Sequence, residues 1–235
     1  IRVRESDKII KDTMIITETL KQSDRVRHAF FSRQGGISEG IFASLNCGFG
    51  SGDNPDHIAA NRANAMKRLD LDEGALLTLY QVHSAKAVVV DAPWKPGEAP
   101  QADAAVTKIP GIALGILSAD CAPVLLADAA TGVIGAAHVG GRGALAGITD
   151  ALVGLMIQLG AAPENISAAI GPCIVTRDEF DHTDAVMTAR VNGEEWGRGS
   201  TSTMHWSFGD LIEHISASET IRSGEFLGSG TVGNG

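Results

Sequence analysis

Residues 112–138 read IALGILSADCAPVLLADAATGVIGAAH, and they carry the strongest strand signals in the chain. Three apolar runs, at residues 112–117, 124–127 and 133–138, are separated by two polar breaks. Short apolar runs bounded by turn residues are typical of strands that are buried on both faces. The stretch therefore predicts a buried sheet, in which Asp128–Gly132 forms the turn between the last two strands.

Helical patterns lie on both sides of this stretch. After a capping-type start at residues 53–55, apolar residues recur at helical spacing through Asp56–Leu69. A second helix follows the glycine-rich residues 140–143 and is closed by Gly160. Its expected apolar face comprises Leu145, Ile148, Leu152, Leu155, Met156 and Leu159.

The remaining segments carry shorter patterns. Further strands are expected at Ile9–Ile16, His28–Ser32, Leu76–Gln81, Ala87–Asp91 and Ile166–Ile170, and further helices at Glu179–Arg190 and Phe208–Ser216. No linker or charge block divides the first 175 residues, so we expect a single domain over residues 1–235. Strands and helices together predict a mixed α/β, or α+β, fold.

The composition is that of an ordinary globular protein and narrows the function classes. The chain has 235 residues, 44% of them hydrophobic, and a formal net charge of -9. Nucleic-acid backbones are bound through clustered Lys and Arg, so this charge argues against nucleic acid as the main partner. The sequence shows no signal-peptide core and no run near the about 20 apolar residues of a membrane span, so we expect a cytoplasmic protein without a membrane partner. Nothing in the pattern predicts an oligomeric state.

The cysteines and histidines point to a metal site. The three cysteines form no CxxC pair, and Cys47 and Cys173 are expected to be ordinary core residues. His83, Cys121 and His138 instead each lie at the end of an apolar run. Catalytic zinc takes three nitrogen or sulfur ligands and leaves a fourth position open. The spacing alone leaves open the alternative that these three are satisfied core residues and surface imidazoles.

Several short strings resemble one known family. They are YQVHS at 80–84, SADCAPV at 118–124, AHVGGRG at 137–143 and IGPCI at 170–174, preceded by FSRQGGIS at 31–38, ASLN at 43–46 and Asn61-Arg62. Their order and content resemble the YfiH/DUF152 family over roughly residues 28–174. Residues 176–235 match that pattern poorly.

The resemblance implies both a fold and an activity. It implies mixed sheets with a β-sandwich-like centre flanked by helices, and His83, Cys121 and His138 as metal ligands, with zinc expected and copper as the alternative. The family was first described as laccase-like polyphenol oxidase and later as purine nucleoside phosphorylase with adenosine deaminase activity. The expected partners are therefore phosphate and a purine nucleoside, namely adenosine, inosine or methylthioadenosine. A zinc ion with an open position could activate water for the deamination.

Four further residues are expected to contact substrate, and one to support the metal site. Arg142 lies in a glycine-rich turn before a helix, where backbone amides and the helix dipole favour an anion such as phosphate. Arg33, Asn46 and Arg62 are second choices, with loop hydrogen bonds and surface ion pairs as the alternative reading. Asp120 could orient a ligand histidine or carry a proton, or could be a turn residue.

Two departures from the family pattern bear on these expectations. The family usually has Trp where this chain has Gly141, so an aromatic wall of the substrate pocket is missing. The C-terminal quarter lacks the Tyr-Glu-Val element and the Phe-Ser-Tyr-Arg-Arg-like ending of the family. The missing aromatic residue at position 141 therefore leaves the substrate range of this chain undetermined by the resemblance.

Three competing functions remain open from the sequence. A conventional multicopper oxidase needs about ten histidine ligands, whereas this chain has seven histidines and no His-x-His pair. Cys121 could instead act as a nucleophile with a histidine base, in a cysteine hydrolase without metal. A non-enzymatic site that binds zinc or a nucleoside would show binding without turnover.

Overall fold

The structure is a computed structural model that describes residues 8–11, 14–20, 25–95, 97–119, 121–171, 181–191, 194–218 and 220. The chain divides into two compact units, a larger one of residues 4–174 and a smaller one of residues 1–3 and 175–235. All three predicted metal ligands lie in the larger unit. The poorly matched residues 176–235 belong to the smaller one, and the single-domain expectation stays a prediction.

A five-stranded mixed sheet forms the centre of the larger unit. Its strands are β5 (Ala87–Val89), β6 (Ala104–Thr107), β8 (Ala122–Asp128), β9 (Val133–Val139) and β10 (Ile166–Ile170), in the order β10-β8-β9-β6-β5. Only the β5–β6 pair is parallel within this sheet. The predicted hairpin is confirmed, since β8 and β9 pair around the turn at residues 129–132.

Among the described residues, two smaller sheets contain the other strands of this unit. Strands β4 (Leu76–Thr78) and β7 (Ala113–Gly115) form a parallel pair. Strands β1 (Lys8–Lys11), β2 (Met14–Thr17) and β3 (Phe30–Phe31) form an antiparallel sheet. The apolar run at residues 9–16 is therefore not one strand, because Ile9 pairs with Ile16 across a hairpin.

The core lies on both faces of the central sheet, which gives the expected sandwich-like layering. Ala104 and Val106 pack with α3 (Ile148–Gln158) on one face, whereas Ala105 between them packs with Leu77 on the other. Gly135 of β9 lets α3 approach, because a Cβ there would lie 2.8 Å from Leu152 Cδ1. The mixed α/β fold predicted from the sequence is confirmed.

In the larger unit, the helices differ from expectation at one point. Helix α1 (Pro55–Arg68) follows the predicted pattern and is capped by the side chain of Asn54. The expected second helix is two helices, α2 (Gly141–Leu145) and α3, because Gly147 adopts a left-handed φ of 83° between them. Leu145 therefore does not join the apolar face, and it is 93% exposed.

The smaller unit contains a hairpin and a helix. Strands β11 (Val186–Val191) and β12 (Glu194–Ser200) pair antiparallel, so the helix expected at Glu179–Arg190 is wrong over its described residues. Helix α4 (Phe208–Ser216) matches its predicted bounds and begins with a capping box between Ser207 and Asp210. Among the described residues, no helix has the length and apolar character needed to cross a membrane.

Candidate metal centre

His83, Cys121 and His138 converge at the end of the β8–β9 hairpin that lies opposite its turn. One nitrogen or sulfur atom of each lies within 4.8 Å of the others. The Cys121 Sγ atom lies 3.8 Å from Nε2 of His83, and the two imidazole rings meet edge to face with centroids 4.7 Å apart. His138 is buried, Cys121 is half-buried and His83 is exposed, so the group opens to solvent on the His83 side.

The β8–β9 hairpin brings two of these residues together. Cys121 immediately precedes β8, and His138 lies near the end of β9. Because the strands are antiparallel and Pro123 is the register partner of His138, the start of one strand adjoins the end of the other. Cys121 and His138 are 17 positions apart in the sequence, and the hairpin brings them close together at its end opposite the turn.

A side-chain amide ties the His83 segment to the Cys121 segment. Gln81 Nε2 donates to the carbonyl oxygen of Leu117 at 2.7 Å, and the Leu117 amide donates back to Gln81 Oε1 at 2.9 Å. Gln81 is two residues before His83, and Leu117 is four residues before Cys121. This two-way contact restricts how far the two ligand segments can separate.

Asp103 is a fully buried carboxylate behind the two histidines. Its Oδ1 atom lies 2.9 Å from Nδ1 of His138 and accepts the backbone amide of His83 at 3.0 Å. Its Oδ2 atom accepts the amides of Val82 and Ser84 and the Ser84 hydroxyl, at 3.2, 2.7 and 2.8 Å. Burial raises the pKa of this carboxyl, but the hydrogen bonds from His138, Ser84 and His83 outweigh burial and lower the pKa to about 2.

These bonds support a strained turn at His83. His83 has a φ of 58°, in the left-handed region. A residue with a Cβ pays roughly 1–2 kcal/mol to adopt that region. Three successive amides, those of residues 82–84, point at Asp103 and offset this strain.

The donor set and the space around it fit a zinc-sized ion. Tetrahedral zinc with one sulfur and one nitrogen ligand separates those atoms by about 3.6 Å, close to the observed Cys121–His83 distance. Asp103 engages Nδ1 of His138, so Nε2 is the nitrogen of that ring that remains for an ion. Gly140 keeps the site open, because a Cβ there would lie 2.8 Å from His83 Cδ2 and 3.0 Å from Cys121 Sγ.

Arg142 lies in α2, two residues beyond Gly140, and is exposed. Its guanidinium makes no hydrogen bond or ion pair with any residue that the structure describes. It therefore offers a cation close in sequence to His138 and available to a ligand.

The other predicted substrate contacts are engaged within the protein. Arg33 donates from Nε and Nη2 to the carbonyl of Ala43. Asn46 donates to Ser51 Oγ and Asp53 Oδ2, at 2.7 and 3.0 Å. These two residues brace the loop after β3, and their role in substrate binding stays a prediction.

Arg62 is also engaged, in this case between α1 and two other segments. Its Nε donates to the carbonyl of Cys47 at 3.0 Å, and its Nη2 donates to Thr78 Oγ1 at 2.6 Å. Its guanidinium carbon lies 4.6 Å from the ring centroid of Phe49. A role of Arg62 in substrate binding likewise stays a prediction.

Two residues that the sequence singled out have no described structure, and one residue of the site could not be recognised from the sequence patterns used above. Asp120 and Cys173 lie outside the described residues, so the expectations for both stay predictions. Asp103 was not singled out from the sequence. The signal that could have found it is an isolated acidic residue inside the apolar string ADAAV at 102–106, since a buried carboxylate needs partners.

The fold and this donor set define a candidate metalloprotein with a mixed α/β architecture. The chain belongs to the multi-copper polyphenol oxidoreductase laccase family, which matches residues 27–215.

Curated relatives carry the name purine nucleoside phosphorylase. One from Streptomyces griseus is 45% identical over 150 residues, which are 63% of this chain and 61% of that protein. One from Deinococcus radiodurans is 44% identical over 174 residues, which are 73% of this chain and 66% of that protein. The chain thus spans less than two thirds of the length of these relatives.

Solved structures give the same family. Bacillus licheniformis hypothetical protein YfiH superposes with a TM-score of 0.62 at 27% identity, covering 76% of this chain and 66% of that one. A DUF152 protein from Neisseria meningitidis superposes with a TM-score of 0.54 at 34% identity, covering 65% and 62%. The resemblance drawn from the sequence motifs is confirmed.

Proposed function

We propose that this protein is a zinc-dependent purine nucleoside phosphorylase whose metal ligands are His83, Cys121 and His138. The observation that carries the proposal is the convergence of these three donors within 4.8 Å. Arg142, four residues after His138, adds a guanidinium that bonds none of the described residues. The names of the Streptomyces and Deinococcus relatives support the reaction class.

The reaction requires a bound dianion beside a sugar carbon that becomes positively charged. A phosphate oxygen forms a bond to C1′ while the C1′–N9 bond breaks, and the electron pair leaves with the purine, which takes up a proton. Arg142 would hold the phosphate, because a guanidinium binds phosphate oxygens through two parallel hydrogen bonds. A zinc ion held by His83, Cys121 and His138 would supply Lewis acidity at this site.

The substrates that we propose are adenosine, inosine and methylthioadenosine, each with phosphate. Adenosine deamination is a second proposed reaction of the same site, in which the oxygen of water forms a bond to C6 of the purine while the C6–N bond breaks and the amino group leaves as ammonia. Gly141 is exposed and a Cβ there would meet no atom within 4 Å, so no described side chain fills the place where the family usually has tryptophan.

Copper-dependent phenol oxidation is the competing function, because the family description names laccase. Conventional multicopper chemistry needs several copper centres and about ten histidine ligands. Within the described parts of the chain, His83, Cys121 and His138 form one group of side chains that could hold a metal ion, and no second such group is present. This count favours the phosphorylase.

The test is chromatographic separation of products from inosine, with and without phosphate, on the zinc-loaded full chain. We expect hypoxanthine and ribose 1-phosphate to form only with phosphate. Hypoxanthine release at the same rate without phosphate would indicate hydrolysis, and phenol oxidation by the copper-loaded chain without nucleoside turnover would favour the laccase-like function.

A further inference from the structure

Asp103 links two segments that each carry one histidine of the metal centre. Its carboxylate contacts the ring of His138 on β9 and the backbone of the turn between β4 and β5 that carries His83. The two histidines are 55 positions apart in the sequence and share this one buried partner. Asp103 itself precedes β6, between the two segments along the chain.

We infer that Asp103 is the positioning residue that builds the metal site from these two segments before a metal ion binds. The inference rests on the metal centre of the proposed function. A carboxylate accepts hydrogen bonds and cannot donate them, so Nδ1 of His138 carries its proton toward Asp103. Nε2 then keeps its lone pair for the ion, which is the tautomer that a metal ligand needs.

The second half of the inference concerns the His83 turn. The amides of residues 82–84 all donate to the same carboxylate, and His83 between them holds a left-handed φ. Without these three acceptor contacts, the turn would relax toward an ordinary φ. The His83 ring would then move away from Cys121 Sγ.

A buried carboxylate that merely satisfies backbone amides would affect stability and leave metal binding unchanged. Asp128 provides the matched control, because it is also fully buried and accepts the amides of Ala130, Thr131 and Ala162. It ends β8, the strand whose start adjoins Cys121. Asp128 therefore matches Asp103 in its burial and in accepting three backbone amides, but its hydrogen bonds go to none of His83, Cys121 and His138.

The test compares wild type, Asp103→Asn and Asp128→Asn as full chains. The Zn²⁺ dissociation constant is measured at neutral pH by competition with a chromophoric chelator. Asparagine replaces one accepting oxygen by a donating amide, which favours the wrong tautomer of His138 or breaks the turn. We expect about 10–100-fold weaker binding for Asp103→Asn and less than about threefold for Asp128→Asn. Equal affinity of wild type and Asp103→Asn, or equal weakening in both variants, would overturn the inference.

A second measurement needs no variant. Nitrogen-15 NMR of the metal-free wild type reports which ring nitrogen of His138 is protonated. We expect the Nδ1–H tautomer, and the Nε2–H tautomer would overturn the inference even if Asp103→Asn did not fold. A wild type that binds no Zn²⁺ would reject the proposed metal centre and this inference with it, whereas normal wild-type binding that Asp103→Asn retains would reject this inference alone.

Discussion

Gly140 packs against His83 so closely that a Cβ at position 140 would lie 2.8 Å from the Cδ2 atom of that ring. The same Cβ would lie 3.0 Å from Cys121 Sγ. Gly140 has a φ of -83°, which any residue can adopt, so the need for glycine there is steric rather than conformational. One absent side chain thus keeps space for two of the three donors.

We predict that Gly140→Ala weakens zinc binding by at least about tenfold, because the methyl group displaces both ligands. Gly141→Ala is the matched control, since a Cβ at position 141 meets open space. Chelator competition on both variants checks this. Unchanged zinc affinity in Gly140→Ala would contradict the geometry of the site.

Arg142 provides the test of phosphate binding. We predict that Arg142→Gln raises the KM for phosphate by about tenfold or more, because a neutral amide loses a charge-assisted pair of hydrogen bonds. The zinc content should not change. Arg27→Gln is the control, since Arg27 bonds the carbonyl of Leu69 on the surface. Initial rates at varied phosphate concentration measure this KM. An unaltered KM for phosphate in Arg142→Gln would show that Arg142 does not bind phosphate.

Asn61 anchors the loop that carries Arg33 and Asn46. It is fully buried, donates to Ser38 Oγ and to the carbonyls of residues 44 and 46, and accepts the amide of Ile37.

We predict that Asn61→Ala lowers the free energy of unfolding by about 3 kcal/mol, because it leaves several buried groups without partners. Asn64→Ala, on the same helix, should stay within about 0.5 kcal/mol of wild type. Urea denaturation measures both, and similar losses in the two variants would contradict the anchoring role of Asn61.

Asp128 makes stability depend on pH at the acidic side. Burial raises the pKa of its carboxyl, but hydrogen bonds from Ala162, Thr131 and Ala130 outweigh burial and lower the pKa below its usual value. The unfolded chain therefore binds a proton at higher pH than the folded chain does. The stability that Asp128 contributes is full above the ordinary pKa of about 3.9 and is lost as pH falls through the lower folded value.

We predict that Asp128→Asn destabilises the protein by about 1–3 kcal/mol at neutral pH, and by less near pH 3. The physical reason is that acid protonates the wild-type carboxylate and so removes the same interaction. Chemical denaturation at both pH values checks this. A difference between the two proteins that does not shrink in acid would show that the carboxylate charge is not the cause.

The central hairpin could be predicted from the sequence because its signals are local. Apolar runs on either side of a polar turn at residues 128–132 predict both β8 and β9 and their pairing as a hairpin. The candidate metal ligands at the far end of that hairpin follow from the same pattern, once the family motifs are matched. Helix α4 was predicted equally well, because its cap at Ser207 and its apolar spacing lie within ten residues.

The parts that sequence could not predict depend on distant partners. Strand β6 is only four residues long and alanine-rich, so it carries little intrinsic strand preference. Asp103 acquires its role from groups 19 to 35 positions away in the chain. The break at Gly147 was missed because the apolar spacing on its two sides continues as if in one helix.

The most direct test of the proposed function is metal content and turnover in wild type and Cys121→Ala, measured on the same samples. Elemental analysis gives the metal, and chromatography gives phosphate-dependent base release from inosine. We predict about one zinc per chain in active wild type, and loss of both zinc and turnover in Cys121→Ala. Phosphorolysis by a metal-free wild type, or by Cys121→Ala at the wild-type rate, would contradict the account.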